Sequence, residues 1–188
     1  MNSEPLFNLL NDIIPLTVDL KDSLEKELHQ ESYKARQIIH AAGQIENRLH
    51  FLESGYVRNY YFDHHGNEHT VKIWEAGDFM FSYEGYYQVP SYFYTDIMEK
   101  SSMITLSYSN LHELDKQHPE ISTIIKTLLL KFQQEEYEKL MLVALPTEER
   151  YQTFRKKKPY LFQILPNRIT ASYLHMSRET LTRLIGKD

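Results

Sequence analysis

The chain has 188 residues, 41% of them hydrophobic, which is enough to build at least one core, so disorder is not the default reading. It contains no cysteine, which excludes disulfides, thiolate metal sites, cysteine nucleophiles and cysteine-held iron–sulfur clusters and fits a reducing cytoplasm. The net charge of −5 hides an asymmetry: residues 147–188 carry nine basic and four acidic side chains (+5), and residues 1–146 carry 12 and 22 (−10), so an anionic partner is expected at the C-terminal end.

The N-terminus, MNSEPLFNLLNDIIPL, has acids and a proline where a secretory signal needs a basic start and an unbroken apolar run. No stretch approaches the roughly eighteen apolar residues of a membrane span, so a cytoplasmic chain with no membrane partner is expected. Leu6, Leu9, Leu10 and Ile13, then Leu20, Leu24 and Leu28, repeat at helical spacing on either side of Pro15, predicting two short helices within 5–29. Between about 33 and 108, β-branched and aromatic residues alternate with polar ones. Turn signals fall at Gly43, Gly55, His65-Gly66-Asn67, Gly77-Asp78 and Gly85, a spacing that predicts short antiparallel strands in a sandwich or barrel. HHGN between YVRNYYF and EHTVKIW predicts a hairpin turn.

From Ser109 the period changes. Leu111 and Leu114 suit a short helix, Pro119 fits a helical first turn, and 121–143 reads as one long helix. Its apolar stripe is wider than one barrel needs, which points to a partner helix across Ile121, Ile124, Ile125, Leu128 and Phe132; the alternative is an ordinary helix packed on its own barrel. Pro146 marks a boundary, Thr147 followed by Glu148 and Glu149 predicts a capped helix through about Arg155, and Lys156 to Pro159 breaks it.

The stretch LPNRITASYLHMSRETLTRLIGKD, residues 165–188, is the most informative. Pro166 opens one short helix, Leu174-His175-Met176 breaks it, and Ser177 caps a second helix that buries Leu181, Leu184 and Ile185. Two short helices with a tight turn, the second facing its arginines outward, follow the helix-turn-helix plan. Arg178, Glu179 and Arg183 are the candidate base contacts, because arginine forks onto guanine and glutamate accepts from cytosine. Ser177, Thr180, Thr182, Arg168 and Lys156 are candidate phosphate contacts. The bland alternative is a surface helix with solvated arginines.

SRETLTR, with Ile38-Ile39-His40-Ala41-Ala42-Gly43, Phe51-Leu52-Glu53-Ser54-Gly55, Gly66 and Glu75-Ala76-Gly77-Asp78-Phe79 upstream, resembles the cyclic-AMP receptor protein / fumarate-nitrate regulator (Crp/Fnr) family over roughly residues 20–186. The resemblance implies an α+β chain: a cyclic-nucleotide-binding-like jelly roll over 1–118, a dimerisation helix over 119–145, and a helix-turn-helix over 146–188 that binds double-stranded DNA as a homodimer. RNA polymerase and a small-molecule effector are further partners it allows, and no cofactor, metal or enzymatic activity is expected.

This chain departs from the family in three places. His175 stands where the family carries a turn glycine. The chain stops at Asp188, before the strand that normally completes a wing, so the wing is expected to be incomplete. Nucleotide-binding members place an arginine at the phosphate, yet residues 73–99 hold no Lys or Arg, and cyclic AMP is therefore not expected to bind. The aromatics of that stretch either fill the roll or line a pocket for another effector, in which case Phe81, Tyr83, Glu84 and Tyr92 would form it. Two other functions compete: a sensor or adaptor roll without DNA binding, and a metal-dependent cupin-like enzyme using His64, His65 and His69, two of which fall in the predicted hairpin turn.

Overall fold

The computed structural model describes residues 2–187; Asp188, on which the expectation about a wing turns, lies outside them. Two helices, α1 (Glu4–Ile13) and α2 (Val18–Glu27), flank Pro15, and Thr17 caps the second by accepting the Leu20 N–H at 3.2 Å. Eight strands follow: β1 (His29–Tyr33), β2 (Ile38–His40), β3 (Arg48–Ser54), β4 (Val57–Phe62), β5 (Glu68–Trp74), β6 (Phe79–Met80), β7 (Tyr94–Ile97) and β8 (Ser101–Ser107). One turn of helix, α3 (Tyr83–Tyr86), lies between β6 and β7. The strands form two four-stranded sheets, ordered β1-β8-β3-β6 and β2-β7-β4-β5: the sandwich expected from the alternating pattern and the jelly roll implied by the resemblance. Six helices complete the described residues: α4 (Tyr108–Gln117), α5 (Pro119–Ala144), α6 (Thr147–Lys157), α7 (Pro159–Ile164), α8 (Asn167–Tyr173) and α9 (Arg178–Ile185).

The described residues form two compact units. The first runs to Asn59 and resumes over Ile73–Phe132; the second joins Tyr60–Lys72 to the chain from Gln133 onward.

In the first unit, the period-2 geometry of β3 and β8 sends alternate side chains to opposite faces. Leu49, Phe51, Ile104 and Leu106 join a core with α1, α2, α4 and α5, while Leu52 and Met103 join a second core with Val57, Trp74, Met80 and Ile97. A sheet buried on both faces gains about 1.5–3 kcal/mol from each fully covered large side chain. Gly85, read from sequence as a turn, instead permits a close approach: a Cβ there would stand 2.3 Å from the Glu46 carbonyl oxygen. The same unit holds a buried polar cluster that the sequence did not suggest, with His40 Nδ1 3.4 Å and His50 Nε2 3.8 Å from the Glu46 carboxylate. Burial alone would raise the Glu46 pKa, but His50, Arg48 and His40 more than offset it and hold the carboxyl below its ordinary range.

The face of α5 read as a dimer seam is corrected by this packing. Ile121, Ile124, Ile125 and Leu128 are buried in the chain's own first core and so are already covered, while Phe132 packs half-buried against the second. The hydrophobic demand that seemed to exceed one barrel is met by α1, α2 and α4. The exposed apolar residues of α5 are Leu130, Tyr137, Leu140 and Met141.

In the second unit the hairpin turn forms as expected. Gly66 takes a φ of +81°, and the Asp63 carboxylate accepts the N–H groups of His65 and Asn67, each at 2.9 Å. Thr147, expected as an N-cap, is the first residue of α6; Pro146 occupies the cap position without a side-chain bond. The break expected over Lys156 to Pro159 is a single bend, after which α7 adds Phe162 to the core of Tyr151, Ala171, Leu181 and Leu184. Pro159 at the helix start, with Leu161, Phe162 and Leu165 following, was the signal available for α7.

Candidate nucleic-acid interface

The pair α8–α9 is built around its turn. His175 has a φ of +51°, so the position that carries histidine is one whose backbone favours glycine. Its N–H donates to the Ser172 carbonyl at 3.1 Å and the Met176 N–H to the Ala171 carbonyl at 3.0 Å, the two bonds of a Schellman ending for α8. Ala171 and Met176 also meet in the core, the apolar contact that accompanies this ending. Arg150, which no local pattern singled out, then ties the turn to α6: its guanidinium donates to the carbonyls of Leu174 at 2.6 Å, His175 at 2.9 Å and Leu145 at 2.9 Å. Lys139 of α5 donates to the carbonyl of Tyr173 and lies over that ring, 3.1 Å from its centroid. Burial pushes the Lys139 amine down to about 7, with Arg150 adding to the fall and Glu136 opposing it. The His175 imidazole is lowered too, by burial and then by the charges of Lys139, Arg150 and His69.

Ser177 caps α9 as expected, accepting the Thr180 N–H at 3.1 Å. Leu181 and Leu184 are buried, while Arg178, Glu179, Thr182 and Arg183 are exposed and fall within an arc of about 140° at 3.6 residues per turn. That division leaves α9 with one exposed polar face that carries two forked donors. Glu179 keeps its carboxyl below the ordinary range through its own backbone N–H and the Ser177 hydroxyl, so it is an acceptor at neutral pH. Four of the expected phosphate contacts have partners within the chain: the Ser177 hydroxyl donates to Thr180 Oγ1 at 3.0 Å, the Thr182 hydroxyl donates to the Arg178 carbonyl at 2.9 Å, and Arg168 donates to the Glu68 carboxylate. Lys156 is exposed in the basic last turn of α6.

The four residues considered as an effector pocket are not brought together as one. Phe81 is buried in the first core, whereas Tyr83 and Tyr92 are exposed, the latter by 75%. None of the four lines the apolar cavity of about 40 Å³ between α1, α2, β3, β8, α4 and α5, whose walls include Leu10, Leu24, Phe51 and Ile124. Of the three histidines weighed as metal ligands, His64 and His65 lie ring against ring at the hairpin turn, tilted by 43°, and His69 Nε2 bonds Asp63 at 2.9 Å. Among the described residues no set of three or more His, Cys, Asp or Glu side chains is placed to hold a metal ion. No described helix is long and apolar enough to cross a membrane.

No family model and no curated protein matches the sequence. Solved structures do match the fold. A crp/fnr-family protein of Eubacterium rectale is similar with a TM-score of 0.74 at 16% identity, over 100% of this chain and 87% of that one. FixK2 of Bradyrhizobium japonicum follows at 0.71 and 16%, over 85% and 83% of the two chains. CLP, a c-di-GMP responsive global regulator of Xanthomonas campestris, stands at 0.69 and 14%, over 91% of each. The chain therefore has the fold of Crp/Fnr-type regulators.

Proposed function

We propose that this protein is a sequence-specific, DNA-binding transcription regulator of the Crp/Fnr type that acts as a homodimer, with α9 as its recognition helix. The observation that carries the reading is the serine-capped α9, whose exposed arc holds Arg178, Glu179 and Arg183 at the end of a net-basic segment. The shared fold with known regulators supports it, and a small-molecule effector and RNA polymerase are the further partners it allows. Arg178 and Arg183 read guanine, Glu179 reads cytosine, and Ser177, Thr180, Thr182, Arg168 and Lys156 hold the backbone.

The test is selection of a duplex from random sequence, followed by affinity measurement at fixed salt on the selected and a scrambled duplex. Arg178→Ala and Arg183→Ala should each lose about 1–3 kcal/mol on the selected duplex and little on the scrambled one. Lys156→Ala should weaken both alike. Equal losses on both duplexes for the arginine variants would remove α9 as the reading element. Failure to select any duplex would favour the sensor or adaptor reading.

A further inference from the structure

The hairpin carried by β4 and β5 is gathered with the helix-turn-helix in the second unit, and its outer edge is joined to α8. β5 is the last strand of its sheet, and the backbone groups on its free side need partners from water or from another element. One serine supplies them. The Thr70 N–H donates to Ser172 Oγ at 2.8 Å, and the Ser172 hydroxyl donates to the Glu68 carbonyl at 3.1 Å. Four residues earlier on α8, on the same helical face, Arg168 donates to the Glu68 carboxylate. Two residues beyond Thr70, Lys72 Nζ lies 2.9 Å from Glu135 of α5. Alternate residues 68, 70 and 72 of one strand thus engage two helices of the unit.

We propose that this hairpin is an autoinhibitory latch on the helix-turn-helix: Ser172 fixes α8 to the edge of β5, and Glu68 occupies Arg168, which DNA phosphate must take from it. Carboxylate and phosphate are both anionic acceptors for the guanidinium, so the two bonds exclude each other at one donor face. The inference rests on the DNA-binding reading above.

The experiment uses the full chain and two variants. Glu68→Gln removes the competing charge, and Ser172→Ala opens the strand edge with no change in net charge. Without DNA, Ser172→Ala should speed hydrogen exchange at the Thr70 amide by about fivefold, the loss of one hydrogen bond. With a duplex, both variants should bind about two- to fivefold more tightly than wild type. If wild type binds DNA and neither variant binds more tightly, the latch is refuted and the DNA-binding reading stands. If neither wild type nor variants bind any duplex, the DNA-binding reading falls and takes the inhibitory role with it. Unchanged exchange at Thr70 in Ser172→Ala would overturn the strand-edge contact itself.

Discussion

Lys139 shows how a single buried side chain sets a pH dependence. Its ammonium has a carbonyl and an aromatic face as partners, yet burial costs the charged form more than these return, and the amine sits near 7 where an ordinary lysine sits at 10.5. The sign follows from proton counting. Between about 7 and 10.5 the unfolded chain holds a proton that the folded chain has released, so folding is favoured progressively as pH rises through that window. Urea unfolding measured from pH 7 to 10 should show this rise, at most about 1.4 kcal/mol per pH unit from this group, and Lys139→Met should flatten it. A wild-type slope matched by the variant would mean that the amine keeps its ordinary value. At this scale the sequence was least informative: Lys139 and Arg150 lie in no local pattern, because each bonds carbonyls brought from more than twenty residues away, and the Glu46 cluster, though drawn from residues 40–50, is defined by burial that spacing does not record.

The helices and turns of the C-terminal segment were far more legible, since caps and amphipathic spacing are local. Ser177 and the buried Leu181 and Leu184 of α9 fall where the pattern placed them. The turn before α9 tests a departure that the sequence raised. His175 adopts a left-handed backbone that glycine takes freely, and a non-glycine residue in such a conformation carries a cost of about 1 kcal/mol. His175→Gly should therefore stabilise the protein by up to that amount, and His175→Ala should not. Equal stability of the two variants in denaturant melts would show that the Schellman bonds and the Arg150 clamp leave no strain there. The element the sequence missed, α7, is six residues long, too short for periodicity to separate it from a loop.

At the level of the whole molecule, α5 divides its surface between two tasks. Four of the five residues that looked like an intermolecular seam, Ile121, Ile124, Ile125 and Leu128, are sealed inside the chain, and exposed apolar area remains at Leu130, Tyr137, Leu140 and Met141. A homodimer formed through that exposed set should sediment as a dimer at micromolar concentration. Leu140→Glu, at a side chain 64% exposed, should shift it to monomer with the fold intact. Leu128→Glu should instead unfold the protein, because Leu128 is a core residue and burying an unpaired charge is costly. Dimerisation unaffected by Leu140→Glu would place the interface elsewhere.

The sequence by itself determined the two N-terminal helices, the roll's alternating strands, the hairpin at Gly66 and the serine-capped α9, because each is written in spacings of a few residues and in the conformational preferences of glycine, proline and serine. Only the tertiary structure decided which apolar face of α5 is spent within the chain, which cations are already paired, and that a strand edge of the roll is completed by Ser172 of the helix-turn-helix. Apolar periodicity records that a face must be covered and basic side chains record that an anion is wanted. Neither records the partner, which is fixed when residues a hundred positions apart are brought into contact.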